Sequence, residues 1–312
     1  MKMLKALLAV LAIFALALVQ LHAQVIWSDN FSSYNIGSLD SNDTSGPNQG
    51  PNGGPGNPWF GTYPPNAQVL TSTASGITPY NGDTHLMSVN TAGPYYGEDI
   101  VNIAHRFNGG NNYQGNVALS WAFYDPAGSG KNASGFQDFV ILGGYQASDG
   151  YTSTADYTSS AEDLQSSFHG GDDLLCLGAY NGGNTSVYQV RVLNATTATQ
   201  GAGFIANGWF NTTAARTAGW HTAKIVLGAP NGANTTVSMY IDGQDVLDSV
   251  LGPYGNGNGQ SYDSVNSIIV DGAWGTQYGA YDDFVLSQVP EPGTGVLMLL
   301  GGLSVLALRR RK

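Results

Sequence analysis

The chain of 312 residues carries 42% hydrophobic but only 11% charged residues, with 43 Gly, a single Cys and a net charge of -11. A charged fraction far below the roughly 25% of ordinary globular proteins, with glycine at about twice its usual share, excludes a helical bundle or coiled coil. The acidic balance excludes nucleic acid as a partner of the folded body, the lone thiol of Cys176 excludes an internal disulfide or CxxC site, and the 11% aromatic share excludes a disordered chain.

The first 23 residues read as a cleaved secretory signal helix. Lys2 and Lys5 precede an unbroken apolar run from Leu7 to Val19, and Leu21-His22-Ala23 ends on a small residue before Gln24. The exported body then spans residues 24–288 as one large β domain. Residues 42–66 hold six prolines among many Gly and Asn, which predicts a long surface loop with Trp59 and Phe60 pinning its end.

Period-two alternation follows almost everywhere. Apolar runs at 85–89, 100–107, 117–123, 139–142, 174–177, 188–192, 222–227, 267–270 and 281–286 predict half-buried antiparallel strands. Residues 237–241 and 244–250, joined by Asp242-Gly243, predict a hairpin with a type I′ turn. Only 160–166, with Ser160 as N-cap, reads as helical. Many short strands without βαβ spacing or repeats predict an all-β, antiparallel jelly-roll β-sandwich.

Four stretches carry a resemblance. Trp27-Ser28-Asp29-Asn30-Phe31-Ser32-Ser33-Tyr34, Trp220-His221-Thr222, Met239-Tyr240-Ile241-Asp242-Gly243 and Tyr281-Asp282-Asp283-Phe284-Val285-Leu286 resemble concanavalin-like and laminin-G-like jelly rolls. That resemblance implies first and last strands lying together, and it brings glycan-cleaving relatives into view. The glutamate-rich ExDxxE strand of laminarinase-like members is absent, and the body's only glutamates, Glu98 and Glu162, are far apart. HExxH, GxSxG and SxxK are absent from the body too, so no catalytic residue is assigned. Cys176 reads as a small core residue and His221 as a local hydrogen-bonding group.

Acidic turns at Glu98-Asp99, Asp172-Asp173, Asp242, Asp245 and Asp282-Asp283 read as solvated, so no metal ligand is assigned. Ca²⁺ is the cofactor that their hard oxygens would suit. Among 17 Tyr and 6 Trp, the residues Trp274, Tyr278 and Tyr281 of a Gly-rich stretch are the candidate glycan-binding aromatics.

The tail, residues 289–312, has three parts. Val289-Pro290-Glu291-Pro292 is a stiff extended peptide. A short hydrophobic helix, the membrane span, is expected at about 293–308, with Arg309, Arg310, Arg311 and Lys312 as a cytoplasmic basic stop. This order resembles the PEP-CTERM sorting signal, which implies exosortase and the export machinery as partners. It also implies passage across the inner membrane of a Gram-negative, biofilm-forming bacterium and a transient membrane anchor before release to the surface or matrix. Between the cationic ends, five basic and 21 acidic residues give the body a charge of -16. The expected function is a structural or adhesive matrix protein that binds exopolysaccharide; the alternative is a secreted glycan hydrolase or lyase with an aspartate-based site.

Overall fold

The computed structural model describes residues 23–39, 59–61, 67–89, 101–106, 113–114, 116–126, 137–143, 175–179, 184–192, 209–228, 235–251, 264–265, 267–273 and 279–289. In chain order its strands are β1 (Gln24–Asp29), β2 (Gly37–Ser38), β3 (Trp59–Gly61), β4 (Ala67–Leu70), β5 (Leu86–Val89) and β6 (Val101–Arg106). Next come β7 (Tyr113–Gln114), β8 (Val117–Asp125), β9 (Gln137–Gly143), β10 (Leu175–Ala179), β11 (Val187–Val192) and β12 (Trp209–Ala215). The last are β13 (Gly219–Leu227), β14 (Thr235–Ile241), β15 (Gln244–Leu251), β16 (Ser264–Val265), β17 (Ser267–Ala273) and β18 (Gly279–Gln288). A four-residue helix, Ser72–Ser75, capped by the Thr71 side chain, and a 3-10 turn over Tyr80–Gly82 complete the described elements.

Two antiparallel sheets face each other. One has nine strands in the order β15, β14, β13, β8, β18, β5, β4, β2, with β1 also paired to β18; the other runs β12, β11, β10, β9, β17, β6, β3. β7 and β16 form a small ribbon. Alternation decides which side chains meet: Leu119 and Trp121 of β8, Ala223 and Ile225 of β13, and Phe284 and Leu286 of β18 bury against Val140, Leu177, Val190 and Ile268 from the other sheet. Each large apolar side chain so buried contributes about 1.5–3 kcal/mol. The result is the expected all-β antiparallel jelly-roll sandwich. The first and last strands do lie together, Gln24 opposite Gln288.

Several local expectations are met. Asp242 and Gly243 both have positive φ, 50° and 74°, as a type I′ turn between β14 and β15 requires. Trp59 is fully buried, and its indole N–H donates to Asp29 Oδ2 at 2.8 Å, so it pins the chain as predicted, although 59–61 form a strand where a loop was expected and the rest of 42–66 lies outside the described residues. Asp29 also accepts from the Tyr34 hydroxyl at 2.9 Å and the Phe31 backbone N–H at 2.9 Å. His221 bonds locally, to Asp242 Oδ2 at 2.7 Å and Thr217 O at 2.8 Å. Cys176 is buried, although it points away from the sandwich interior that its neighbours Leu175 and Leu177 fill.

All of the expected signal helix at 1–23 except residue 23, the helical turn at 160–166 and the C-terminal helix lie outside the described residues. Among the described residues no helix is long and apolar enough to cross a membrane.

Candidate functional site

The outer face of the nine-stranded sheet is set by the same alternation. Because Leu119, Trp121, Ala223 and Ile225 point inward, Ser120, Tyr124, Trp220, Thr222 and Lys224 point outward. Register places Trp220 opposite Tyr124 and Lys224 opposite both Ser120 and Tyr240. The indole N–H of Trp220 donates to Thr78 O at 2.7 Å, and the rings of Tyr80 and Tyr124 lie 5.5 and 5.6 Å from it. All three rings are half-buried. Beside them Ser120, Thr222, Ala223, Lys224, Tyr240 and Gly243 line a hollow of about 330 Å³. From Trp220 to Lys224 the strip runs about 13 Å. It offers aromatic surface at one end and hydroxyl and ammonium groups at the other, the chemistry that packs on sugar rings and bonds their hydroxyls.

An acidic knot adjoins it through the 3-10 turn. The register between β18 and β8 shifts between Asp282 and Val285, and Asp283 takes the left-handed conformation with φ 48°. This bulge lets Phe284 return to the core and leaves two consecutive carboxylates beside Asp83, with oxygens of all three within 4.8 Å of one another. Tyr80 spans both features, its ring on Trp220 and its backbone N–H donating to Asp282 Oδ2 at 3.0 Å. Burial pushes the Asp282 carboxyl up to about 8, and burial together with Asp83 raises that of Asp283.

Hard carboxylate oxygens suit Ca²⁺. Asp282, however, is fully buried and its other oxygen accepts the Asp283 N–H at 2.9 Å, while Asp83 Oδ1 accepts from Asn30 at 2.9 Å. A cation would therefore rest chiefly on Asp83 and Asp283. Asp242, another acidic-turn residue, is engaged by the Thr222 N–H at 2.8 Å and by His221.

Of the candidate glycan-binding aromatics, Tyr281 needs correction. It is buried, with its ring 6.2 Å from Phe284, because its parity on β18 turns it to the core. Trp274 and Tyr278 lie outside the described residues, as do Pro290, Glu291, Pro292 and the basic stop Arg309 to Lys312. Val289 is the last described residue, its N–H donating to Asn116 O at 2.6 Å. Sequence reasoning missed Tyr80, Tyr124 and Trp220. Parity could have found two of them, since Trp121 and Phe123 inward put Tyr124 outward, and Ala223 and Ile225 inward put Trp220 opposite it.

No curated protein matches the chain in sequence. In fold it is similar to an endo-β-1,4-glucuronan lyase from the fungus Trichoderma reesei, at 12% identity and TM-score 0.47 over 85% of this chain and 98% of that one. It is similar to a carbohydrate esterase of the Shiga toxin-encoding bacteriophage phi24B at 14% identity and TM-score 0.45, over 86% of this chain and 99% of that one. A non-specific endo-β-1,3(4)-glucanase of family GH16 follows at 13% identity and TM-score 0.41, over 86% and 91%. Residues 288–312 match the PEP-CTERM protein-sorting motif, so the chain carries that motif and is an exported protein sorted through its C-terminus.

Proposed function

We propose that the exported body is a structural or adhesive protein of the cell surface or matrix that binds a neutral glycan, such as an exopolysaccharide, along the strip from Trp220 to Lys224. The observation that supports this is the half-exposed group of Tyr80, Tyr124 and Trp220 beside a hydroxyl-lined hollow. A body charge of -16 disfavours an anionic polymer. Replacing Trp220 by Ala removes the ring around which the patch is built. Affinity electrophoresis through a neutral exopolysaccharide should then show retention weakened about 2- to 10-fold, the worth of one aromatic contact. Retention equal to the parent's would sink the reading.

One observation favours glycan cleavage instead. Asp282 holds a proton near neutral pH beside Asp283, the unequal carboxylate pair that acid-base hydrolysis uses. Its complete burial keeps it from a substrate, which is why binding is preferred. On the outer face of the seven-stranded sheet the described row Trp209, Arg191, Cys176, Ile141, Ile269 has four buried members, and the Arg191 guanidinium lies 5.9 Å from the Trp209 ring. Release of reducing ends or unsaturated products from several glycans, abolished by Asp283→Asn, would replace binding with catalysis.

A further inference from the structure

The two ends of the exported body meet at one end of the nine-stranded sheet. A single cross-strand row there runs Gln24, Gln288, Val117, Leu227, Val237 and Ser249. The outermost residues of those six strands, Gln24–Ile26, 286–289, 116–118, 226–228, 235–237 and 249–251, include no Asp, Glu, Lys or Arg. The sequence leading into or away from them, 107–115, 229–234 and 252–262, is also uncharged and rich in Asn and Gly. The nearest carboxylate on these strands is Asp248, in the next row inward with Val25, Ser287, Ala118, Val226 and Ser238, on the edge strand four strands from β18. In a body of charge -16 this edge is sparsely charged. Asp248 apart, among the described residues of this sheet and its turns the acids begin at mid-sheet: Asp245 in the row of Ser120, Asp29, Asp242 and Asp282 near that of Ala122 with Asp83 and Asp283 beside them, and Asp125 at the far end. Val25, 56% exposed and one of two large hydrophobics in the open among the described residues, sits at the uncharged end opposite Ser287.

The length of chain beyond the fold says what this end faces. Val289 is still hydrogen-bonded to Asn116, and the expected membrane span begins at about 293, so Pro290 to Pro292 are all that separate sandwich from hydrophobic segment. Three residues reach at most about 11 Å. A headgroup layer occupies roughly 5–8 Å of that, which leaves the uncharged end within about one Debye length of the lipid surface. The carboxylates aligned with Ser120 to Ala122 stand roughly 10–16 Å higher along β8 and Asp125 about 26 Å higher, at or beyond the Debye length over which an anionic leaflet acts.

We propose that this uncharged end is the face the body lays on the lipid headgroups while its C-terminal segment holds it at the membrane. The proposal rests on the C-terminal anchoring that the sorting motif implies and not on glycan binding. Before signal cleavage, residue 23 would leave from the same edge, so both hydrophobic segments would enter the bilayer side by side.

The test uses the full chain with its tail uncut, reconstituted in phosphatidylethanolamine–phosphatidylglycerol vesicles containing a headgroup nitroxide lipid. Single fluorophores are placed through Val25→Cys beside the tether, Thr236→Cys three strands away on the same end, and Ala218→Cys at the far end; all three positions are exposed, and buried Cys176 does not label. The labels at 25 and 236 should be quenched several-fold more than that at 218. Quenching at 25 alone would mean a body tumbling on its tether and overturns the proposal. Equal quenching at 236 and 218, or a chain that does not float with the vesicles, overturns it as well.

Discussion

His105 sits 3% exposed among aromatic rings, 4.2 Å from Trp27 and 5.1 Å from Trp59. Burial pushes its imidazole down to about 3, so it stays neutral in the folded protein while the unfolded chain takes up a proton below about 6.5. Between those values the unfolded state binds more protons, and stability is lost as pH falls, by up to about 1.4 kcal/mol per pH unit. Asp282 acts oppositely: its carboxyl is raised, so its contribution is present below about 3.8 and lost as pH rises through about 8. The two offset each other between about pH 4 and 6.5. A His105→Leu variant isolates the imidazole, and its stability by urea unfolding should close on, then overtake, the parent's as pH falls from 7 to 4. Parallel curves would show that the ring is not insulated from solvent.

Elements are joined by one buried charge pair. Asp125, at the end of β8, accepts two N–H groups of Arg216, just past β12, at 2.8 and 3.1 Å, and the hydroxyl of Tyr188 from β11 at 3.2 Å. The guanidinium also lies 6.0 Å from the Tyr188 ring centroid, so this contact ties the two sheets together. Arg216→Ala strands the carboxylate and should cost about 3–5 kcal/mol, whereas Arg216→Met with Asp125→Leu should recover most of that in the same unfolding assay. Legibility differed among elements for physical reasons. The β14–β15 hairpin was readable because Asp-Gly meets its positive φ values locally. β12 was not, because Thr212 faces inward and satisfies its hydroxyl on Tyr188 O, a long-range contact that alternation of apolar residues does not register. β3 was masked by its Pro- and Gly-rich surroundings. Asp282 and Asp283 could be noticed as a pair, but Asp83 joins them only through the pairing of β5 with β18 and the turn before β5.

At the scale of the whole molecule, fold and sorting signal share only residues 288 and 289. Val289 is the last described residue and is bonded to the sandwich, so a cut beyond it removes none of the described strands. The mature protein should end at or after residue 290 by intact mass and melt at the temperature of the uncut chain. An end within β18 would contradict this, since Phe284 and Leu286 are fully buried core residues. Timing follows from where β18 lies. The last strand to emerge during export is not added at an edge; it closes the interior of the nine-stranded sheet, between β8 on one side and β1 and β5 on the other. β8, β1 and β5 thus lack their shared neighbour until nearly the entire body is across. Their pairings span most of the chain, which slows folding. The nascent chain should remain loose enough to be translocated throughout, and arrest at the hydrophobic tail gives it a pause, still tethered, in which the final strand can seat.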